Sequence, residues 1–158
     1  MEGLQYSLKT SASLKRKLAT LLQTRPGWNV NDALRGIKDS VRYTMSFSDD
    51  GYTAGVREAA RCLRDDGYEP VTWKNTWSSD GYRGINTTWR APRTGQVFEV
   101  QFHTAASFRA KMVTHELYEK ARLPGTTPDE ANRLNQQQHD TFRQVPIPPG
   151  AADLRPPG

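Results

Sequence analysis

The sequence predicts an α/β (α+β) domain in which a mixed, largely antiparallel sheet is flanked by helices. Three observations lead there. Residues 41–47, VRYTMSF, alternate apolar and polar side chains with the period of a strand covered on one face. Residues 68–104 hold three more runs rich in aromatic and β-branched residues, YEPVTWKNTW, GYRGINTTW and QVFEVQFHT, separated by the turns SSDG and PRTG. Helical periodicity lies on both sides of them, so strands and helices must share one core.

Taken in order, residues 11–23 place Leu14, Leu18, Leu21 and Leu22 at helical spacing, with Thr10 or Ser11 as the cap. A short helix is expected from Asn31 to Ile37, then the first strand, closed by the turn Ser48-Asp49-Asp50-Gly51. YTAGVREAARCLRDDG carries Val56, Ala60 and Leu63 on one helical face and stops at Gly67. Cys62, the single cysteine, is expected to be a small buried thiol within it. After the three strands, Thr104 caps a helix over 105–122 in which Phe108, Met112 and Leu117 face the sheet while Lys111, His115 and Glu119 share another stripe. Thr127, Pro128 and Glu130 open a last helix with a capping box, running to about Arg143.

The chain has 158 residues, 35% of them hydrophobic, which suits one core. A single domain over 1–145 is expected, followed at 146–158 by a flexible tail dense in proline and glycine. There are 22 Lys and Arg against 17 Asp and Glu, a net charge of +5 that favours phosphorylated ligands or nucleic acid. No apolar run has the length of a membrane span, so no membrane partner is expected. One cysteine and three scattered histidines exclude a zinc signature, and the P-loop pattern is absent. His139-Asp140 lacks the further ligands a metal hydrolase needs, and Asn86-Thr87-Thr88 is a glycosylation sequon inside a predicted strand.

The polar residues converge on one predicted face. Asp39 lies at the mouth of the first strand and Arg42 just inside it; Glu99 and Gln101 project from a later strand, and His115 from the helix that follows. Two carboxylates, Asp39 and Glu99, with room for water suit a Mg²⁺ ion bound with phosphates, and a carboxylate beside a hydroxyl can act as general base. Upstream, Lys9 to Lys17, KTSASLKRK, sets hydroxyls, backbone N–H groups and lysines at a helix start, a phosphate cradle. Alone, each feature is also what a solvated polar surface looks like.

Together, and in this order, the blocks resemble the synthetase domain of the RelA/SpoT family of alarmone pyrophosphokinases. KTSASLKRK (9–17) resembles K-x-x-x-S-[IL]-x-x-K; IKDSVRY (37–43) resembles the strand with a metal-binding Asp and a nearby Arg; GYRGINT (81–87) resembles G-Y-[QR]-S-[LYI]-H-T; EVQFHT (99–104) resembles E-[IV]-Q-[IF]-R-T. The resemblance spans roughly residues 5 to 122 and implies a nucleotidyltransferase-like synthetase fold. It implies that Lys9, Ser13, Lys17 and Arg42 bind ATP phosphates and that Asp39 and Glu99 hold Mg²⁺, with Glu99 also activating the acceptor hydroxyl. Tyr82 would stack on the acceptor base, and Lys74, Asn86, Gln101 and His115 would complete the acceptor site. The chain departs from the family at Ser7, Asn86 and His103, where Arg, His and Arg are usual, and in the shorter spacing from Asp39 to Arg42.

The departures resemble the small toxin branch of the family. The implied activity is ATP-dependent transfer of pyrophosphate to the 3′-hydroxyl of a purine nucleotide, giving a growth-inhibiting product of the ppGpp or ppApp type. The alternatives are pyrophosphorylation of the tRNA 3′ CCA end, a catalytically inactive nucleotide- or RNA-binding module, and, more remotely, an ADP-ribosyl transferase. The expected partners are ATP, a purine nucleotide or tRNA, and an antitoxin or immunity protein. The expected site of action is the cytoplasm, reached either directly or by delivery as the C-terminal domain of a secreted toxin.

Overall fold

The computed structural model describes residues 11–37 and 40–158, together with their side chains except those of 11–13 and 35. The elements run α1 (Ser11–Thr24), α2 (Val30–Arg35), β1 (Arg42–Phe47), α3 (Tyr52–Asp65), β2 (Glu69–Asn75), β3 (Ile85–Arg90), β4 (Val97–Thr104), α4 (Ala105–Ala121) and α5 (Pro128–Arg143), ending in a 3₁₀ turn at Ala151–Asp153. The sheet order is β1-β4-β3-β2. Strands β2, β3 and β4 form an antiparallel meander, as three strands joined by short turns must, while β1 lies parallel to β4. The mixed, largely antiparallel sheet is the one the sequence predicts.

One face of the sheet is apolar. Phe47, Ile85, Trp89, Val100 and Phe102 meet Tyr52, Val56 and Ala60 of α3 in one cluster. Trp77, Trp89 and Phe102 are fully buried, and each burial of this size contributes about 2 to 3 kcal/mol. Tyr52 ties the layers together: its hydroxyl donates to the Phe102 carbonyl at 2.9 Å and accepts from the Trp77 indole at 2.8 Å. Gly55 lets α3 approach β1, since a Cβ there would lie 2.4 Å from the Phe47 ring.

Several local expectations change. Asn29 caps α2, accepting from the Asp32 N–H while Asp32 returns a bond to Asn29, so the helix starts ahead of Asn31. Thr127 caps α5, but the Glu130 carboxylate pairs with Lys120 of α4 at 2.8 Å instead of closing a capping box. Cys62 is exposed, because Tyr52, Val56 and Ala60 at i, i+4 and i+8 take the buried face of α3 and Cys62 points away from it. Buried positions on α4 are Ser107, Ala110 and Thr114, small residues that let α4 sit close to its neighbours.

Residues 146–158, expected to trail away as a tail, fold back onto the domain. Pro148, Ala151 and Leu154 are buried, Thr53 donates to the Pro149 carbonyl at 2.6 Å, and the Asn75 amide donates to the carbonyls of Ala151, Ala152 and Leu154. Proline density excludes a helix or strand there; it does not prevent apolar side chains from packing when outside donors satisfy the carbonyls.

Candidate active site

The second face of the sheet is polar because β4 alternates: Val100 and Phe102 go to the core, Glu99, Gln101 and His103 to the other side. Register then assembles rows across the strands. Arg42, Glu99 and Thr88 form one row; Thr44, Gln101, Asn86 and Lys74 form the next; Ser46 and His103 follow. The end of this face nearest Thr104 is covered, with Phe108 of α4 edge-on to His103 and Phe142 of α5 edge-on to Tyr82. Gln101 and His103 are therefore buried, at 4% and 0% exposure, where the alternating pattern by itself reads as an open polar surface.

Glu99 is the central charge. Its Oε1 accepts from the Arg42 guanidinium at 3.0 Å and from the Gln101 amide, so among the described residues both of its hydrogen bonds go to one oxygen and Oε2 is left for another partner. Gln101 in turn accepts at Oε1 from the ammonium of Lys111, one α4 turn beyond Ser107. Lys111, Gln101, Glu99 and Arg42 thus form a continuous chain of polar contacts. Burial first, and the Arg42 charge second, pull Lys111 down to about 8, with Glu99 opposing them.

Behind this chain lies a neutral one. The Tyr82 hydroxyl is 2.8 Å from Asn86 Oδ1 and 2.8 Å from His103 Nε2, and His103 Nδ1 is 2.7 Å from the Ser107 hydroxyl, which accepts from the Thr104 N–H. One proton arrangement satisfies every member: Ser107 donates to Nδ1, Nε2–H donates to Tyr82, and Tyr82 donates to Asn86. Burial, with Lys111 and Arg42 adding to it, holds His103 neutral, down to about 3. Burial and then the Glu99 charge push the Tyr82 phenol well above its ordinary range. Gly84 packs tightly here, since a Cβ would meet His103 Cε1 at 3.1 Å and the Phe102 carbonyl at 3.3 Å.

The structure brings Arg42, Lys74, Tyr82, Asn86, Glu99 and Gln101 to this face. Tyr82 precedes β3, because the strand begins at Ile85 and not at Gly81. Lys74 is exposed on the edge strand, in the row of Asn86 and Gln101. His115 is exposed, one turn along α4 from Lys111. The same stripe ends at Glu119, which pairs with Arg16 of α1 at 3.5 Å and so brings the Lys17 segment to the far end of the stripe. Lys9, Asp39 and the Ser13 side chain lie outside the described residues. Sequence reasoning assigned no role to Lys111 or Ser107, although Lys111 stood on the helical stripe of His115.

Magnesium was expected on Asp39 and Glu99. Among the described residues no group of three His, Cys, Asp or Glu side chains surrounds a metal position; Glu99 lies at the centre of this face, and Glu69 at its far edge pairs with Arg90. One carboxylate with a vacant oxygen fits Mg²⁺, which takes its other ligands from substrate phosphates and water.

No protein-family model and no curated protein matches the sequence. Solved structures do match. A GTP pyrophosphokinase family protein from Streptococcus pneumoniae superposes with a TM-score of 0.60 at 19% identity, over 86% of this chain and 68% of that one. The fold is that of the alarmone synthetases. Small alarmone synthetase 1 from Bacillus subtilis aligns with a TM-score of 0.56 at 20% identity over 86% of this chain and 71% of its own, and a structure of that enzyme is bound to its product pppGpp, with a TM-score of 0.52. Small alarmone synthetase 2 of the same organism gives 0.56 at 17% identity, over 86% and 72% of the two chains. In this synthetase fold the polar face carrying Glu99 lies across the sheet from the α3 core.

Proposed function

We propose that the chain is an ATP-dependent pyrophosphokinase that transfers the β,γ-pyrophosphate of ATP to the 3′-hydroxyl of a purine nucleotide. What supports this most is Glu99: a carboxylate with one oxygen fixed by Arg42 and Gln101 and the other unspent, on the polar face of a synthetase fold. The acceptor's 3′-oxygen attacks the β-phosphorus, the bond to the α,β-bridging oxygen breaks, AMP leaves, and the hydroxyl proton passes to Glu99. Arg42, with Lys9, Ser13 and Lys17, would hold the donor phosphates. Mg²⁺, when bound at Glu99 and Asp39, would neutralise phosphate charge.

Tyr82 would receive the acceptor base. Its hydroxyl is already held by Asn86 and His103, so the ring is oriented before any ligand arrives, which lowers the entropic cost of stacking. The pppGpp product of the Bacillus subtilis synthetase supports a guanosine acceptor. The test is product mass spectrometry after incubation with ATP and each of GDP, GTP, ADP and tRNA. Release of AMP with a pyrophosphorylated acceptor, abolished in Glu99→Gln, is the expected result; no AMP and no product, or full activity in Glu99→Gln, would overturn it. A labelled tRNA and unlabelled nucleotides would move the acceptor to the CCA end.

A further inference from the structure

Among the described residues, the polar face is rich in basic side chains. Arg42, Lys74 and Arg90 stand on the strands and Lys111 reaches in from α4; Glu99 pairs with Arg42 and Glu69 with Arg90, whereas His103, the basic side chain on β4, is neutral and spent on Tyr82 and Ser107. Among the described residues no carboxylate pairs with Lys111. Its ammonium has three N–H groups, and its described hydrogen bond uses one, to Gln101 Oε1. A half-buried ammonium without a directly paired carboxylate is costly, and an incoming anion would offset that cost.

The position of the ammonium is fixed. Gln101 is held from behind by Glu99, and the Phe108 ring lies 5.4 Å from Nζ, so the head group is confined between the sheet and its own helix. Lys74 occupies the row of Gln101, two strands away from it across Asn86, a spacing of about 10 Å between the two strands given the ordinary strand spacing. With the Lys111 ammonium seated on Gln101, the row from Gln101 to Lys74 has a lysine at each end.

We propose that Lys111 is a substrate-binding residue that takes a nucleotide phosphate above Gln101, facing Lys74 across the row. This rests on the transfer reading above for the identity of the nucleotide but not for the anion itself. The phosphate comes either from the donor, through α1, or from the acceptor, through Lys74.

Calorimetric titration separates these. Wild type, Lys111→Met and Lys111→Arg are titrated with guanosine, GDP, adenosine, ADP and a non-hydrolysable ATP analogue, after thermal melts show that all three are folded. Methionine keeps the apolar stem and removes the charge. Lys111→Met should lose about tenfold in affinity for a phosphorylated ligand, leave the matching nucleoside unchanged, and be rescued by Lys111→Arg. Loss confined to the ATP analogue assigns the donor phosphates; loss confined to GDP or ADP assigns the acceptor's. Equal affinity of wild type and Lys111→Met for every phosphorylated ligand, equal losses for nucleoside and nucleotide, or a wild type that binds none of them would overturn the inference. Phosphate-selective loss in a protein that transfers no pyrophosphate would leave Lys111 standing and remove the activity.

Discussion

The Nε2 of His103 lies 2.8 Å from the phenolic oxygen of Tyr82, on the face opposite the α3 core. An imidazole that is fully buried and hydrogen-bonded through both nitrogens is there to orient, and its neutrality is what lets it do so without a counter-ion. The position costs stability only when a proton is forced onto it.

That cost can be measured against pH. The His103 imidazole titrates at about 3 when folded and at about 6.5 when unfolded, so the unfolded chain binds the extra proton in between. Stability is fully present above about pH 6.5 and falls as pH drops toward 3, by at most about 1.4 kcal/mol per pH unit. Urea unfolding at a series of pH values should show a shallower acid slope in His103→Gln than in wild type. Identical slopes would mean that His103 is not the source.

Tyr52 joins α3, β4 and the loop after β2 through one hydroxyl. Tyr52→Phe removes no ring packing but leaves the Phe102 carbonyl and the Trp77 indole N–H without that partner, at a cost of about 1 to 3 kcal/mol. A lower urea midpoint with an unchanged m-value is expected. No shift in midpoint would show that water replaces the hydroxyl.

Asn75 distinguishes a packed C-terminal segment from a loose one. Its Nδ2 faces three carbonyls, at 2.8 Å from Ala151 and 3.2 Å from Ala152 and Leu154, while Oδ1 accepts from the Trp77 N–H at 3.1 Å. Asn75→Asp has nearly the same shape but turns a donor into a negative acceptor against those carbonyls. It should be more destabilising than Asn75→Ala and should open residues 146–158 to limited proteolysis. Equal stability of the two variants would show that the carbonyls are satisfied otherwise.

Much of the fold is legible in local chemistry. The alternation in VRYTMSF and FEVQFHT, the Thr104 and Thr127 caps and the Gly67 stop each depend on neighbours within a few residues, and each appears where those neighbours require it. Glu99, Gln101 and Asn86 could be placed on one face for the same reason: period-2 alternation is a property of the strand itself. Whether that face is open or covered is not. Gln101 and His103 are buried because α4 and α5 pack over the Thr104 end of the sheet, and nothing within β4 encodes that.

By itself, then, the sequence determined the elements, the apolar and polar sides of the sheet and the carboxylate at its centre, since all of these follow from residue type and spacing. The tertiary structure decided the rest. It alone joined β1 to β4 in the register that sets Arg42 against Glu99, turned Lys111 rather than His115 onto Gln101, and drew the proline-rich end back under Asn75. Those are contacts between residues far apart in the chain or between helix and sheet, and their geometry is set by the packing of whole layers.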